Sequence, residues 1–444
     1  MYPLLHNEAD VQEQAIPQGV IEGFVNMQNI SNMISVVLVA LLPALSVFSC
    51  APQEVMEEQV LFRMTSQDTV PYRIPAIAQM KNNRLLALAD YRPCNLDIGF
   101  GRVDIHGRIS SRNGESWGEK FVVAQGTGVF GDVDCGFGDP ALVVDRESGE
   151  ILLITVCGST PYGAETTTRQ NPNRVAMFRS YDNARTWEPW KEITEEIYSL
   201  FDTSSHGPIQ SCFVTSGKIF QSDTIKEGTH YRIYIALTAR PYGNRVIYSD
   251  DFGMTWEVLG GADALPSPYG DEAKCEELPD GSVVVSSRTA GGRYFNVFKF
   301  SDSEKSLGEW DKPVYSGARN NGCTALENAC NGEILIVPSR RVENGEKVTL
   351  ALQSVPLGPQ RQAVGIYYKE INGGETSEQL AADWKGPYRV TEKPSAYSTM
   401  IQLKNKDIAF YYEECDSLKT FGYDMVYKEI SLEQLTDGAY RKCR

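Results

Sequence analysis

Histidine is scarce. Only His6, His106, His206 and His230 occur in 444 residues, and they are widely separated. Chemistry that depends on paired imidazoles therefore has little to draw on. The ten cysteines include no C-x-x-C and no close Cys/His pair, which removes the common zinc and iron–sulfur patterns. They read as small buried apolar residues. Positive charge is also short, with Lys+Arg 42 against Asp+Glu 58 and a net charge of -16. Nucleic acid and anionic membrane surfaces are thus poor partners, and an anionic ligand would need a local cluster of cations.

Long apolar runs are missing as well. The N-terminal run ISVVLVALLPALSVFSC, from Ile34 to Cys50, is interrupted by proline and falls short of the roughly 20 residues of a membrane span. It fits the apolar region of a secretory signal. Its ending VFSC is similar to a bacterial lipobox, which makes Cys50 a candidate site of lipid attachment. No Lys or Arg precedes Arg63, so the usual basic flank is absent and a start at Met27 or Met33 is an alternative. The expected organisation is a leader over 1–50, a short linker over 51–69 and one domain over 70–444. Export follows, to the periplasm, to the cell surface as a lipoprotein, or into the medium.

What is present is ample core material, 42% hydrophobic residues with 23% charged. A polar turn followed by a short apolar run recurs: NNRLLALA at Asn82, SGEILLITV at Ser148, SGKIFQS at Ser216, DGSVVVSS at Asp280, NGEILIVPS at Asn331 and NKDIAFYY at Asn405. These six hairpin signals start 66, 68, 64, 51 and 74 positions apart. Convincing helical periodicity is rare, ITEEIYSLF at Ile193 being the clearest case. Six antiparallel units in one domain predict an all-β, six-bladed β-propeller with four strands to a blade.

A second repeat runs out of phase with the first. SYDNARTW (Ser180 to Trp187) and SDDFGMTW (Ser249 to Trp256) share S-x-D-x-x-x-T-W, and SSRNGESW (Ser110 to Trp117) is a weaker copy. The Asp can close a turn on backbone N–H groups, Gly114 and Gly253 can supply positive φ, and Trp can anchor the turn. Residues 72–76, YRIPA, set an arginine and a proline in an apolar run. Proline is tolerated on an edge strand, so Pro75 marks the inner strand of a blade. On an alternating strand Arg73 would share its face and project into the channel mouth.

These turns resemble the Asp-boxes of sialidases (neuraminidases), and YRIP resembles the F/Y-R-I-P motif of their first blade. The likeness spans about Val70 to Cys415. It implies an exo-acting sialidase in which three arginines hold the substrate carboxylate through paired charge-assisted hydrogen bonds. Arg73 would be the first. Arg288 in VVVSSRTAGG would be the second, shadowed by Arg293, and Arg361 in PLGPQRQAVGIYY the third, with Arg340 and Arg341 as competitors.

SAYSTMIQL resembles the segment that carries a tyrosine nucleophile, here Tyr397, and YGDEAKCEELPDG the segment that carries its base, here Glu272. ADYRPCNLDIGFG resembles the acid/base loop, with Asp97 as the acid and Asp90 and Asp104 as alternatives. Arg92 would touch the carboxylate or a ring hydroxyl. Glu413 in FYYEE would orient the first arginine, and Glu414 beside it leaves that choice open. The resemblance implies sialylated glycans as substrates and no organic cofactor, leaves a structural calcium open, and suggests a monomer. Its alternatives are a transglycosylating or anhydro-sugar-forming sialidase, or a sugar-binding propeller without chemistry.

Overall fold

The computed structural model describes residues 58–65, 68–416 and 422–443. The apolar leader run and Cys50 lie outside them. Short strands rich in Val, Ile, Leu and aromatics, separated by Gly, Asn and Asp turns, form six mainly antiparallel sheets arranged as a six-bladed propeller. Blade one contains Tyr72–Gln79, Arg84–Tyr91, Asp104–Arg112 and Phe121–Ala124. Its first strand packs against the first strands of blade two (Phe137–Val144) and blade six (Ser395–Gln402), around the central axis. Apolar clusters fill the spaces between neighbouring blades, such as Leu86, Leu88, Leu142 and Leu153 between blades one and two.

Two sheets have four strands and four have five, so the expected four per blade is exceeded. Gly217–Lys218, for example, joins blade two in parallel alongside Ala141 and Leu142. Part of the stretch expected as a linker over 51–69 forms a strand. Gln59–Phe62 pairs with Asp424–Ile430 and supplies the outer strand of blade six, so the ring closes by joining the two ends of the domain.

Four of the six turn signals join the first and second strands of a blade, namely those at Asn82, Ser148, Asp280 and Asn405. The other two lie elsewhere. Ser216 and Asn331 are buried, and their glycines serve close approach: a Cβ on Gly332 would sit 1.8 Å from the Ser354 carbonyl oxygen. The predicted helical stretch forms Thr194–Tyr198, continued by one turn of 3-10 helix, Ser199–Phe201.

The S-x-D-x-x-x-T-W turns join third to fourth strands. Asp182 accepts from the backbone N–H of Arg185 and Thr186, both at 2.9 Å, and Asp251 from Met254 and Thr255 at 2.9 and 2.8 Å. Gly114 and Gly253 have φ of +82° and +86°, as their turns require. In SYDNARTW that conformation falls to Asn183 and Ala184.

Candidate active site

In an antiparallel blade the start of the first strand and the end of the second lie at the same end of the sheet. Arg73, Asp139 and Tyr397 occupy starts of first strands, whereas Asp90, Arg288 and Glu413 occupy ends of second strands. One end of the propeller thus collects the charged groups.

The strand carrying YRIPA is an edge strand, as Pro75 requires, but it does not alternate. A bulge separates Arg73 from Ala76, and Ile74 has φ of +58°, a strained conformation for a β-branched residue. Arg73 is therefore aimed by the bulge and not by sharing a face with Pro75. Glu413 compensates the strain. Its carboxylate accepts from Arg73 Nε at 2.8 Å, from Arg73 Nη2 at 3.3 Å and from the Ile74 N–H at 2.7 Å. It also takes the Tyr397 N–H at 3.0 Å. Glu414 instead pairs with Lys393 and accepts from Tyr412, so Glu413 is the one of the two that touches Arg73.

Tyr397 lies beside a second bulge, between Ser395 and Ser398. Its hydroxyl donates to Glu272, at 2.9 and 2.8 Å from the two carboxylate oxygens, and lies 3.1 Å from Arg288 Nη1. Arg288 also pairs with Glu272 and, at 3.4 Å, with Asp271. Backbone bonds from Arg288 N to Glu272 O (2.7 Å) and from Asp271 N to Arg288 O (2.9 Å) hold the two side chains together. Burial, and then the Glu272 charge, push the Tyr397 phenol well above its usual range, while Arg288 pulls it back. Burial likewise raises Glu272, opposed first by Arg288.

The Arg361 guanidinium carbon sits 5.7 Å from the Tyr397 ring centroid, and that of Arg73 5.5 Å. Among the described residues no carboxylate pairs with Arg361. It is a half-buried cation without a counter-ion, suited to an incoming anion. The competitors are occupied elsewhere. Arg340 donates to the Gly345 carbonyl in a turn at the opposite end, Arg341 pairs with Glu346 and Glu370, and Arg293 is fully buried against Ser286 and the Cys330 carbonyl.

Arg92 collects three carboxylates. It donates to Asp90 at 3.1 and 2.8 Å, pairs with Asp97 at 3.0 Å and approaches Asp139 to 3.8 Å. Burial drives Asp90 up to about 7 and Asp139 well above the usual carboxylate range. Asp97 has a side chain 65% exposed on the loop beyond Arg92. Asp90 is fully enclosed, and Asp104 is tied to Arg102 and the Gly126 N–H, so neither alternative acid reaches solvent.

Asp139 is the residue that sequence reading missed. It has φ of +54° at a third bulge, and its N–H donates to Asp90 at 3.0 Å. This repeats the Ile74–Glu413 arrangement one blade on, and the signal was there: DPA at Asp139 matches IPA at Ile74. A second missed group is a buried set of charges on the inner strands. Lys274 Nζ lies 3.4 Å from Glu333, which accepts from Thr399 at 2.9 Å, and Lys218 pairs with Glu276. Among the described residues no group of three or more His, Cys, Asp or Glu could hold a metal ion.

The BNR repeat-like domain family matches residues 99–409. The chain belongs to the sialidase family with a BNR repeat-like domain. A sialidase of Micromonospora viridifaciens is 33% identical over 252 residues, covering 53% of this chain, which spans 36% of that protein. Mouse sialidase-3 is 23% identical over 395 residues, 80% of this chain and 90% of the mouse protein. In fold, this sialidase-family chain is similar to the NanB sialidase from Streptococcus pneumoniae (TM-score 0.62, 17% identity, 85% of this chain and 71% of that one). It is likewise similar to the intramolecular trans-sialidase from Ruminococcus gnavus (TM-score 0.61, 16% identity, 82% and 95%).

Proposed function

We propose that this chain is an exo-α-sialidase that releases terminal sialic acid with retention of configuration through a tyrosyl-enzyme intermediate. The observation that carries the reading is the convergence on Tyr397, whose hydroxyl donates to Glu272 while Arg73, Arg288 and Arg361 surround it. Three cations around one site suit a carboxylate, and a neutral phenol approaches a carboxylate-bearing carbon without the repulsion an anionic nucleophile would meet. Tyrosine nucleophiles of this kind distinguish sialidases from glycosidases that use two carboxylates.

In the first step Glu272 takes the phenolic proton, Tyr397 oxygen bonds to C2, and the bond from C2 to the glycosidic oxygen breaks. Asp97 gives its proton to the departing oxygen. In the second step Asp97 takes a proton from water, the water oxygen bonds to C2, and the tyrosyl bond breaks as Glu272 returns the proton. Two inversions leave the configuration unchanged. A sugar-binding propeller would need the arginines but not the Tyr397–Glu272 pair. Export, with Cys50 as a lipid-bearing residue, is part of the same proposal, and an unchanged membrane fraction for Cys50→Ala would remove the anchor.

The test is a 2,3-difluorosialosyl fluoride, which should label Tyr397 in the native protein and nothing in Tyr397→Phe. A label on another residue overturns the nucleophile. Product analysis from sialyllactose separates the readings further, since free sialic acid marks hydrolysis, whereas an anhydro sugar or a transferred sialosyl group marks the alternative.

A further inference from the structure

The loop that carries Asp97 also carries two apolar side chains in solvent. Leu96 is 56% exposed and Phe100 48% exposed, and a backbone bond from Phe100 N to Asp97 O (3.3 Å) folds Phe100 back beside the carboxylate's own residue. The connection between blades one and two adds Val129 and Phe130, which are 53% and 68% exposed. Single exposed apolar residues are ordinary on a protein surface, so the question is whether these four share one place.

The loops that carry them do, because both are pinned to the same short strip. A Cβ on Gly99 would lie 2.6 Å from Pro161, and Gly131 N donates to Ser159 Oγ at 2.9 Å. Phe100 and Phe130, each the neighbour of one of those glycines, thus flank Ser159–Pro161. The loops also touch each other directly, since a Cβ on Gly136 would lie 2.8 Å from the Gly101 carbonyl oxygen. Glycines at these points let the backbones close up and leave the large side chains outward.

We propose that Leu96, Phe100, Val129 and Phe130 form an apolar shelf for the leaving group, fitted to an alkyl or aryl aglycone. The inference rests on the sialidase reading above, because an acid at Asp97 must lie within hydrogen-bond reach of the glycosidic oxygen. Whatever is attached to that oxygen then lies over the residues that flank Asp97. None of the four side chains has a hydrogen-bonding tip, so the shelf offers contact area without recognising hydroxyls. It favours an apolar aglycone over a sugar of equal size.

The experiment measures kcat/KM for ethyl, butyl and octyl α-sialosides, whose leaving alcohols are of similar acidity. Each methylene that reaches the shelf should raise kcat/KM by up to about fourfold, and octyl should exceed ethyl by at least about tenfold. In Phe100→Ser/Phe130→Ser that ratio should fall below about threefold. The ratio is taken within each enzyme, so a general loss of activity does not affect it. Should the double variant fail to fold, Phe130→Ser alone should at least halve the ratio.

An octyl/ethyl ratio near one in the native enzyme overturns the shelf and leaves the sialidase reading intact. Failure to hydrolyse any sialoside overturns both. A dimer in solution that Phe100→Ser/Phe130→Ser converts to monomer would assign the patch to a second copy of the chain and overturn the proposal.

Discussion

Glu413 holds Arg73 by two hydrogen bonds from the far end of the chain, 340 residues away, and the same carboxylate caps the backbone of Ile74 and Tyr397. One buried anion thereby fixes an arginine, a strained bulge and the proposed nucleophile. Glu413→Gln should leave the Arg73 charge without its counter-ion, costing about 3–5 kcal/mol of stability and lowering kcat/KM tenfold or more. Urea unfolding and kinetics check this. Glu414→Gln, which alters the bonds from Lys393 and Tyr412 but leaves Arg73 its counter-ion, should leave kcat/KM close to that of the native protein.

Arg361 has no carboxylate partner of its own among the described residues, so its removal should affect substrate more than the fold. Arg361→Ala is expected to cut kcat/KM tenfold to over a hundredfold, matching about 1.5–3 kcal/mol for a lost charged hydrogen bond. Arg340→Ala should stay within about twofold, because its guanidinium serves the Gly345 carbonyl in a distant turn. The reverse pattern would move the third arginine.

Asp97 should reveal itself through the leaving group. A sugar alcohol needs a proton as its bond breaks, whereas an activated phenol departs as the anion. Asp97→Ala should therefore lose about 10²–10⁴-fold of kcat/KM on sialyllactose and far less on an activated aryl sialoside. Asp90→Ala and Asp104→Ala, whose carboxylates are enclosed by Arg92 and Arg102, should lack that selectivity. Equal losses on both substrates for Asp97→Ala would remove it as the acid.

His106 gives the fold a defined acid weakness. Burial holds its imidazole from the usual 6.5 down to about 4, with Lys120 assisting and Asp104 opposing, and its Nδ1 bonds the Tyr72 hydroxyl at 3.0 Å. A depressed folded value means the neutral ring is favoured. Its stabilisation is complete above pH 6.5 and is lost as the pH falls towards 4. The loss should be on the order of 3 kcal/mol at most. Urea unfolding of His106→Gln should show a correspondingly flatter pH dependence across that window, and equal slopes would contradict a buried neutral ring.

Local patterning determined much of this protein. Alternating apolar runs between Gly, Asn and Asp turns specify hairpins whatever surrounds them, and their spacing already implies six blades. Short motifs carry Arg73, Glu272, Arg288 and Tyr397 because each sits in a strand or turn whose backbone its neighbours dictate. What only the tertiary structure decided is which charges meet. Glu413 and Glu414, Arg361 and Arg340, and Asp97 and Asp90 are adjacent or similar in sequence, and they differ in burial and in the partners the packed chain gives them. The turns at Ser216 and Asn331 misled for the same reason, since Gly217 packs against the side chains of Lys274, Glu333 and Thr399, and Gly332 against the Ser354 carbonyl, all outside their own turns. Bulges at Ile74, Asp139 and Tyr397 break the two-residue period, so the directions of those side chains could not follow from alternation. Glu413 and Asp90 accept from the Ile74 and Asp139 backbones of the next blade, and Glu413 accepts from Tyr397 within its own blade, contacts that exist only once the strands and blades have packed.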